Sequence, residues 1–103
     1  MTVATTSILA YRSLDPGRMA RVRDRILLTI GRARMPSNAD LERLAGVRLS
    51  SVCARVNELK AEGMIEQGGV KTDPFTRKTV AWWRITEAGR RALGSLEAQA
   101  CTN

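Results

Sequence analysis

The chain has 103 residues, 44% of them hydrophobic and 26% charged, which is the size and composition of one globular domain. Histidine is absent and the carboxylates are scattered, so the commonest general base and the commonest metal ligand are both missing. Composition therefore argues against an enzyme and predicts no cofactor or metal. The net charge of +7 favours an anionic partner, whether nucleic acid, an acidic membrane surface or an acidic protein.

The compartment is indicated by segments that the sequence lacks. No apolar run approaches the roughly 18 residues that span a bilayer, and MTVATTSILAYRS at the start has neither the basic region nor the cleavage site of a secretory signal. Cys53 and Cys101 are far apart and form no CxxC pair. We expect a cytoplasmic protein with reduced thiols and no membrane partner.

Positive charge is concentrated in two stretches. Residues 15–35 carry six Arg against two Asp, and residues 68–85 carry four basic groups against one Asp. Between them, residues 36–67 have four basic and five acidic groups. The cationic excess therefore flanks the middle of the chain and is absent from it.

The first elements are an arm and a helix. Residues 1–14 have no strong period and are interpreted as an N-terminal arm, whereas Asp15 and Pro16 are typical of a helix start. The helix should run to about Arg32, with a core stripe of Met19, Val22, Ile26 and Ile30 and with Leu27 beside it. Away from that stripe, helical spacing predicts a ridge of Arg18, Arg21, Arg25 and Arg32.

Two further helices follow at helix-turn-helix spacing. Ser37 and Asp40 form a capping box for a short helix whose apolar face is Leu41, Leu44 and Ala45 and which Gly46 ends. The next helix, residues 50–62, has Ser50 or Ser51 as its cap and Gly63 as its stop. Its inward positions are Val52, Val56 and Leu59.

After Gly63 the hydrophobic period changes to two. Two strands, opening at Met64 and at Val80, enclose a polar, basic loop that contains Gly and Pro, which predicts a β-hairpin. A last helix should start near Thr86 and bury Leu93 and Leu96, and residues 97–103 are interpreted as a tail.

Two stretches of the sequence, placed in this order of elements, resemble parts of known families. LERLAGVRLSSVCARVNELKAEGMIE, residues 41–66, resembles the helix-turn-helix half of winged-helix transcription regulators. WRITEAGRRAL, residues 83–93, resembles the strand-to-helix junction after the wing in MarR-like and PadR-like regulators. The whole also resembles small bacterial and phage-type winged-helix proteins, over about residues 15–95.

The resemblance implies an α+β winged helix-turn-helix domain over residues 15–96, with a three-helix bundle, a hairpin wing and a C-terminal helix. It further implies sequence-specific binding of double-stranded DNA by a small transcriptional regulator. Residues 50–62 would be the recognition helix in the major groove. Residues 68–79 would be the wing, with residues 70–79 on the DNA backbone.

Several side chains are suited to such contacts. The outer face of residues 50–62 presents Ser50, Ser51, Ala54, Arg55, Asn57 and Glu58, and Asn and Arg can make paired hydrogen bonds to adenine and guanine. We expect direct base contact by at least one of Ser51, Arg55 and Asn57. The alternative is that Arg55 pairs with Glu58 or Glu62 and that Asn57 merely faces water.

Phosphate contacts are expected from the cations at the hairpin tip, Lys71, Arg77 and Lys78. Arg18, Arg21 and Arg25 on the first helix are further candidates, although a run of charges is often only a solvated face. Trp83 should lie in the core with Ala81 and Ile85, and Trp82 on the outer side, packed under the arm.

Leu28 falls outside the core stripe. With Leu93, Leu96 and the arm it could form the seam of a homodimer, since exposed apolar surface marks association and such regulators often read two half-sites.

Two other functions remain open. The near-neutral recognition helix would also suit a protein-binding module, such as an adaptor or an inhibitor of a nucleic-acid machine that recognises an acidic protein. An RNA-binding or replication-initiation module would share the same electrostatics.

Overall fold

The structure, a computed structural model, describes the backbone of residues 21–102 and the side chains of residues 21–96. Three helices come first: α1 (Val22–Arg32), α2 (Asn38–Ala45) and α3 (Leu49–Ala61). Strands β1 (Ile65–Thr72) and β2 (Thr79–Ile85) follow, and helix α4 (Glu87–Thr102) comes last. This order confirms the predicted α+β fold with a three-helix bundle, a hairpin and a C-terminal helix. The arm predicted at residues 1–14 lies outside the described residues.

Helix α1 is the central element of the bundle. It contacts α2, α3, α4 and β2, so it is packed on most of its circumference. Ile26, Leu27 and Leu28 are consequently buried in succession, and Leu28 is 0% exposed. The prediction that Leu28 lies on an exposed seam was wrong, because a single core stripe describes a helix packed on one side only.

The start of α1 also differs from the prediction. Arg21 has an extended backbone, with φ −95° and ψ 128°, and the helix begins at Val22. A continuous helix from Asp15 is therefore excluded at Arg21, which is instead the N-cap residue of α1 and whose carbonyl accepts from the Arg25 N–H at 3.2 Å.

The capping box at the start of α2 is confirmed. The Asp40 N–H donates to Ser37 Oγ at 3.3 Å, and the Ser37 N–H donates to an Asp40 carboxylate oxygen at 3.0 Å. Leu41 and Ala45 are buried, whereas Leu44 is 56% exposed and does not join the core. A helix of two turns packs on one side only, and Leu44 lies off that side.

The turn between α2 and α3 is made by Gly46, which has the left-handed conformation (φ 67°), and by Val47, which is buried. Helix α3 begins at Leu49, and Arg48 is its N-cap residue without a side-chain cap. The predicted cap at Ser50 or Ser51 was therefore wrong. The buried positions Val52, Val56 and Leu59 and the left-handed stop at Gly63 (φ 75°) are as expected.

Strands β1 and β2 form an antiparallel pair that runs from Ile65 opposite Ile85 to Thr72 opposite Thr79. Trp83 is buried on the core side, as predicted. Its backbone N–H donates to the Pro36 carbonyl at 2.9 Å, and its Nε1 donates to Asn38 Oδ1 at 2.8 Å. The hairpin is thus fixed to the segment that leads into α2.

Trp82 lies on the opposite face of the hairpin. The register shifts between Gln67 and Gly69, and the Trp82 ring covers Gly68 so closely that a Cβ there would lie 2.1 Å from it. A cross-strand glycine therefore provides the space for this ring. The predicted cover by residues 1–14 falls outside the described residues.

Helix α4 closes the domain. Thr86 Oγ1 accepts from the Gly89 N–H at 3.2 Å, as expected of a cap, and donates to the Gly63 carbonyl at 2.6 Å. Leu93 is 0% exposed and Leu96 packs against the core. The helix continues through residues 97–102, which the sequence assigned to a tail.

Candidate nucleic-acid interface

The outer face of α3 is accessible over the described part of the chain. Ser50, Asn57 and Glu58 are exposed, and Ser51 and Ala54 are half-buried. The buried residues of α3 lie on the opposite side, where α1 and α2 pack. The predicted recognition face is therefore open to a partner.

Two of the charged residues on α3, Arg55 and Glu58, neutralise each other. Arg55 Nε lies 2.8 Å from one Glu58 oxygen, and Arg55 Nη2 lies 3.0 Å from the other. This is the pairing that the alternative interpretation of Arg55 predicted, with Glu58 as the partner. Glu62 instead forms an ion pair with Arg23 of α1, which ties the end of α3 to the central helix. Asn57 keeps an exposed amide beside these pairs.

Arg48 is an exposed cation at the start of α3 that the sequence interpretation missed. It precedes the first helical residue and forms no ion pair with the described residues. Helix N-termini favour anions because their first N–H groups lack intrahelical acceptors. A helix start placed one residue before Ser50 would have drawn attention to Arg48.

The tip of the hairpin, residues 73–78, is held by its own hydrogen bonds. Asp73 is 7% exposed, and its Oδ1 accepts from the N–H groups of Phe75 at 2.7 Å and Thr76 at 3.3 Å. The Asp73 N–H donates to the Lys78 carbonyl, and the Arg77 N–H donates to the Asp73 carbonyl, both at 2.8 Å. Arg77 takes the left-handed conformation, with φ 64°. These hydrogen bonds therefore give the loop a defined conformation.

Arg77 and Lys78 lie at this tip with exposed side chains, as predicted. Lys71 does not. It lies within β1 opposite Val80, and its ammonium forms an ion pair with Asp40 of α2. The prediction that Lys71 lies at the tip was wrong, because the strand extends through Thr72 and leaves only residues 73–78 as the loop.

Asp40 joins α2 to the hairpin. Its carboxylate accepts from Lys71 and from the Ser37 N–H, and it pairs with Arg43 at 3.0 Å. Burial raises the pKa of the Asp40 carboxyl, but the hydrogen bonds from Lys71 and Ser37 outweigh burial and lower that pKa from 3.8 to about 2. Asp40 is therefore ionised at neutral pH and holds the hairpin against the helix-turn-helix.

A second contact brings the tip beside the last turn of α2. The guanidinium carbon of Arg43 lies 5.7 Å from the centroid of the Phe75 ring, within cation–π range. Arg43 and Arg48 are five residues apart, so their Cα atoms are separated by at most about 18 Å. The contact between Arg43 and Phe75 thus places the hairpin tip beside the end of α2.

The arginines predicted on the first helix are not brought together in this way. Arg18 lies outside the described residues, Arg21 is exposed on extended backbone, and Arg25 is half-buried in α1. Contact of Arg21 and Arg25 with nucleic acid stays a prediction.

Three further properties concern the described part of the chain, namely metal binding, membrane spanning and the state of Cys53. There, no group of three or more metal-binding side chains is close enough to hold an ion. Over residues 21–102, no helix combines the length and apolar character needed to cross a membrane. Cys53 is a half-buried free thiol, 3.6 Å from Asn38 Nδ2.

No protein-family model matches the sequence, and no curated protein matches it significantly. Solved structures do resemble the fold. The adhesin competence repressor AdcR of Streptococcus pyogenes has a TM-score of 0.61 and 15% sequence identity, over 97% of this chain and 69% of its own.

Two further solved structures show the same likeness. FabT of Streptococcus pneumoniae in complex with DNA has a TM-score of 0.56 and 19% identity, over 97% of this chain and 66% of its own. MarR of E. coli has a TM-score of 0.56 and 18% identity, over 93% of this chain and 69% of its own. The chain therefore has the winged helix-turn-helix fold in the arrangement found in MarR.

Proposed function

We propose that this protein binds double-stranded DNA sequence-specifically and acts as a small transcriptional regulator. Helix α3 lies in the major groove, and the hairpin is a wing whose tip, residues 73–78, contacts the DNA backbone. Phosphate contacts position the protein, and base contacts by α3 select the sequence.

The observation that carries this proposal is the placement of unpaired cations around an accessible helix face. Arg48, Arg77 and Lys78 are among the exposed cations that form no ion pair with the described residues. Arg48 lies at the start of α3, while Arg77 and Lys78 lie at the tip of the neighbouring hairpin. A polyanion can therefore be held at both places while α3 lies against the base edges.

Two solved structures of this fold contain DNA. FabT, which has this fold, was solved in complex with DNA, and a cysteine-to-serine mutant of MarR was solved with operator DNA. The likeness to these two DNA complexes supports DNA as the partner of this chain.

The polar and charged side chains of α3 and of the hairpin are proposed to have different roles. Ser50, Ser51 and Asn57 are the proposed base-reading residues, because they are polar and lie on the outer face. Arg55 can reach a base or phosphate only by exchanging its pairing with Glu58. Lys71 holds the wing through Asp40 and is proposed as a positioning residue rather than a phosphate contact.

The test is a titration of the protein against duplex DNA, single-stranded DNA and RNA at two salt concentrations. We expect duplex DNA to bind most tightly. Its affinity should fall as salt rises, because binding releases cations condensed on the DNA and this release is less favourable at high salt. Selection of bound sequences from a random duplex pool should then yield a defined motif. Absence of salt-sensitive duplex binding would refute the proposal, and preferred binding to RNA would favour the RNA-binding alternative.

The neutral character of α3 favours one competing function, a module that binds an acidic protein. The Arg55–Glu58 pair removes the one cation in the middle of the proposed reading face. Charge reversal of Glu58 separates the two functions. Glu58→Lys should raise affinity for any duplex if α3 faces DNA, and should leave DNA affinity unchanged if α3 faces a protein.

Homodimerisation is proposed as part of the same function, but not through the predicted seam, since Leu28 and Leu93 are in the core. A dimer would select symmetric half-sites from the random pool. Sedimentation equilibrium of the full chain, with and without the selected duplex, measures the stoichiometry directly.

A further inference from the structure

The wing tip presents an aromatic ring to solvent. Phe75 is 78% exposed, the largest exposed fraction among the large hydrophobic side chains described. Single exposed apolar side chains are common on protein surfaces. The surroundings of this ring are more informative than its exposure.

The first relevant feature is that the Phe75 backbone is fixed. Its N–H donates to Asp73 Oδ1 at 2.7 Å, and the loop is closed by the hydrogen bonds between Asp73 and both Arg77 and Lys78. Asp73 is itself buried, so water has little access to the hydrogen bonds by which Asp73 holds the loop. The ring therefore projects from an ordered base, and little conformational entropy is lost when it enters a partner.

The second feature is the charge that surrounds the ring. Arg43 lies over its face at 5.7 Å, and Arg77 and Lys78 follow it in the same loop. An apolar protein pocket or a core-like interface would have to desolvate these cations. A partner that combines stackable flat rings with closely spaced anions satisfies both features, and a nucleic-acid duplex is such a partner.

We propose that Phe75 is a wedge residue that enters the minor groove of duplex DNA and partly unstacks one base step. Arg77 and Lys78 bind the phosphates on either side of the opened step, and Arg43 orients the ring. This inference rests on the proposed DNA-binding function and adds a second means of sequence selection to it.

Selection by such a wedge follows from the mechanics of the duplex. Apolar side chains inserted into the minor groove kink DNA, and pyrimidine–purine steps such as TA and CA/TG unstack most easily. We therefore expect the preferred site to carry a flexible step where the wing lies, at a position that α3 does not contact.

The experiment uses the full chain and duplexes of the selected sequence in which 2-aminopurine replaces one adenine at a time. Unstacking raises the fluorescence of this base analogue. Wild-type protein should raise the fluorescence at one or two adjacent positions under the wing. Phe75→Ala should abolish the rise and weaken binding by about tenfold, since stacking on an aromatic side chain is typically of this size.

Three variants serve as controls, one for exposed apolar area, one for the flat ring and one for charge. Leu44→Ala removes an exposed hydrophobic side chain outside the wing, on α2, and it should leave both fluorescence and affinity unchanged. Phe75→Trp should restore the fluorescence rise because the flat ring is retained. Phe75→Ala should leave the salt dependence of binding unchanged, whereas Arg77→Gln should reduce its slope by about one.

Failure of the inference and failure of the proposed function give different results. If wild type binds duplex DNA but no 2-aminopurine position responds, or if Phe75→Ala binds and responds like wild type, the wedge is refuted and DNA binding stands. If wild type shows no salt-sensitive binding to duplex DNA, the proposed function fails and the wedge fails with it. Thermal unfolding should be the same for Phe75→Ala and wild type, which excludes misfolding as the cause of a loss.

Discussion

Asp40 shows how one side chain can serve both the local and the tertiary structure. It caps α2 through the Ser37 N–H and holds the hairpin through Lys71. The first contact lies within three residues of sequence, while the second joins residues 31 positions apart. Removing this carboxylate should therefore weaken the helix start and release the wing together.

Asp40→Asn should reduce the free energy of unfolding at pH 7 by about 1–2 kcal/mol, because an ionised, hydrogen-bonded carboxylate is lost. The folded-state pKa of Asp40 is lowered to about 2, so its contribution is present above about pH 4 and is lost as pH falls towards 2. Urea unfolding at pH 7, 4 and 2 measures this, and the difference from wild type should shrink in that order. Glu42→Gln on the same helix removes an equal charge and should change stability little; an equal loss there would contradict the role of Asp40.

Asn57 is the side chain of α3 most suited to select a base, since its amide is exposed and can make paired hydrogen bonds to adenine. Asn57→Ala should relax the sequence preference at one base pair by about 1–3 kcal/mol and leave other positions unchanged. Selection from a random pool with both proteins compares the motifs. Ser95→Ala, on the exposed side of α4, is the control, and an unchanged motif for Asn57→Ala would argue against base contact.

At the scale of single elements, the hairpin depends on one close approach between its strands. Trp82 covers the bulge at Gly68, where no side chain can be accommodated without displacing the indole. The bulge re-aims the strand, and such features are typical near functional surfaces. The wing therefore depends on a glycine as much as on its hydrogen bonds.

Gly68→Ala should destabilise the protein by about 1–3 kcal/mol, as is typical of overpacking, and should displace Trp82. Thermal unfolding followed by tryptophan fluorescence measures both effects. Thr72→Ala, exposed at the end of the same strand, should change stability by less than about 0.5 kcal/mol. A stable Gly68→Ala variant with unchanged fluorescence would show that the ring moves away at no cost.

The wing tip should contribute to the salt dependence of DNA binding, and this contribution should be proportional to the number of phosphates that the tip neutralises. Arg77→Gln and Lys78→Gln should each reduce the slope of log affinity against log salt by about one, and weaken binding to all duplexes alike. Titrations at several salt concentrations give the slope. Arg91→Gln on α4 is the matched control for net charge; if it lowers the slope as much, the tip has no special contact.

For the whole molecule, burial decides which hydrophobic residues are available for association. Leu28 and Leu93 are both 0% exposed and belong to the core that joins α1, the hairpin and α4. A dimer seam that required their side chains would have to open this core. Any association must therefore use other surfaces.

Leu93→Ala should lower the free energy of unfolding by about 2–5 kcal/mol, the usual cost of a cavity in a core. The loss should not depend on protein concentration, because it arises within one chain. Denaturant unfolding at two concentrations provides the measurement. Leu44→Ala, an exposed leucine, should cost less than about 0.5 kcal/mol. If the loss of stability depended on protein concentration for Leu93→Ala alone, Leu93 would lie in an interface between chains.

The parts of the fold that depend on neighbours in sequence could be predicted from the sequence. The capping box of Ser37 and Asp40, the cap at Thr86 and the glycine stops at positions 46 and 63 follow from local backbone chemistry. The hydrophobic period of two and the polar loop with Gly and Pro predicted the hairpin, and Trp83 is the buried residue of β2 as expected. The winged helix-turn-helix itself was predicted from the resemblance of residues 41–66 and 83–93 to such regulators.

Other properties were decided only by the tertiary structure, because they depend on which distant elements meet. The full burial of Leu28 requires partners on several sides of α1, and the pairing of Lys71 with Asp40 requires the hairpin to lie beside α2. The exposure of Phe75 above a closed loop, with Arg43 against its ring, depends on the same contact. Hydrophobic period and charge count carry no information on these pairings, since they average over the chain and do not specify which side chains face each other.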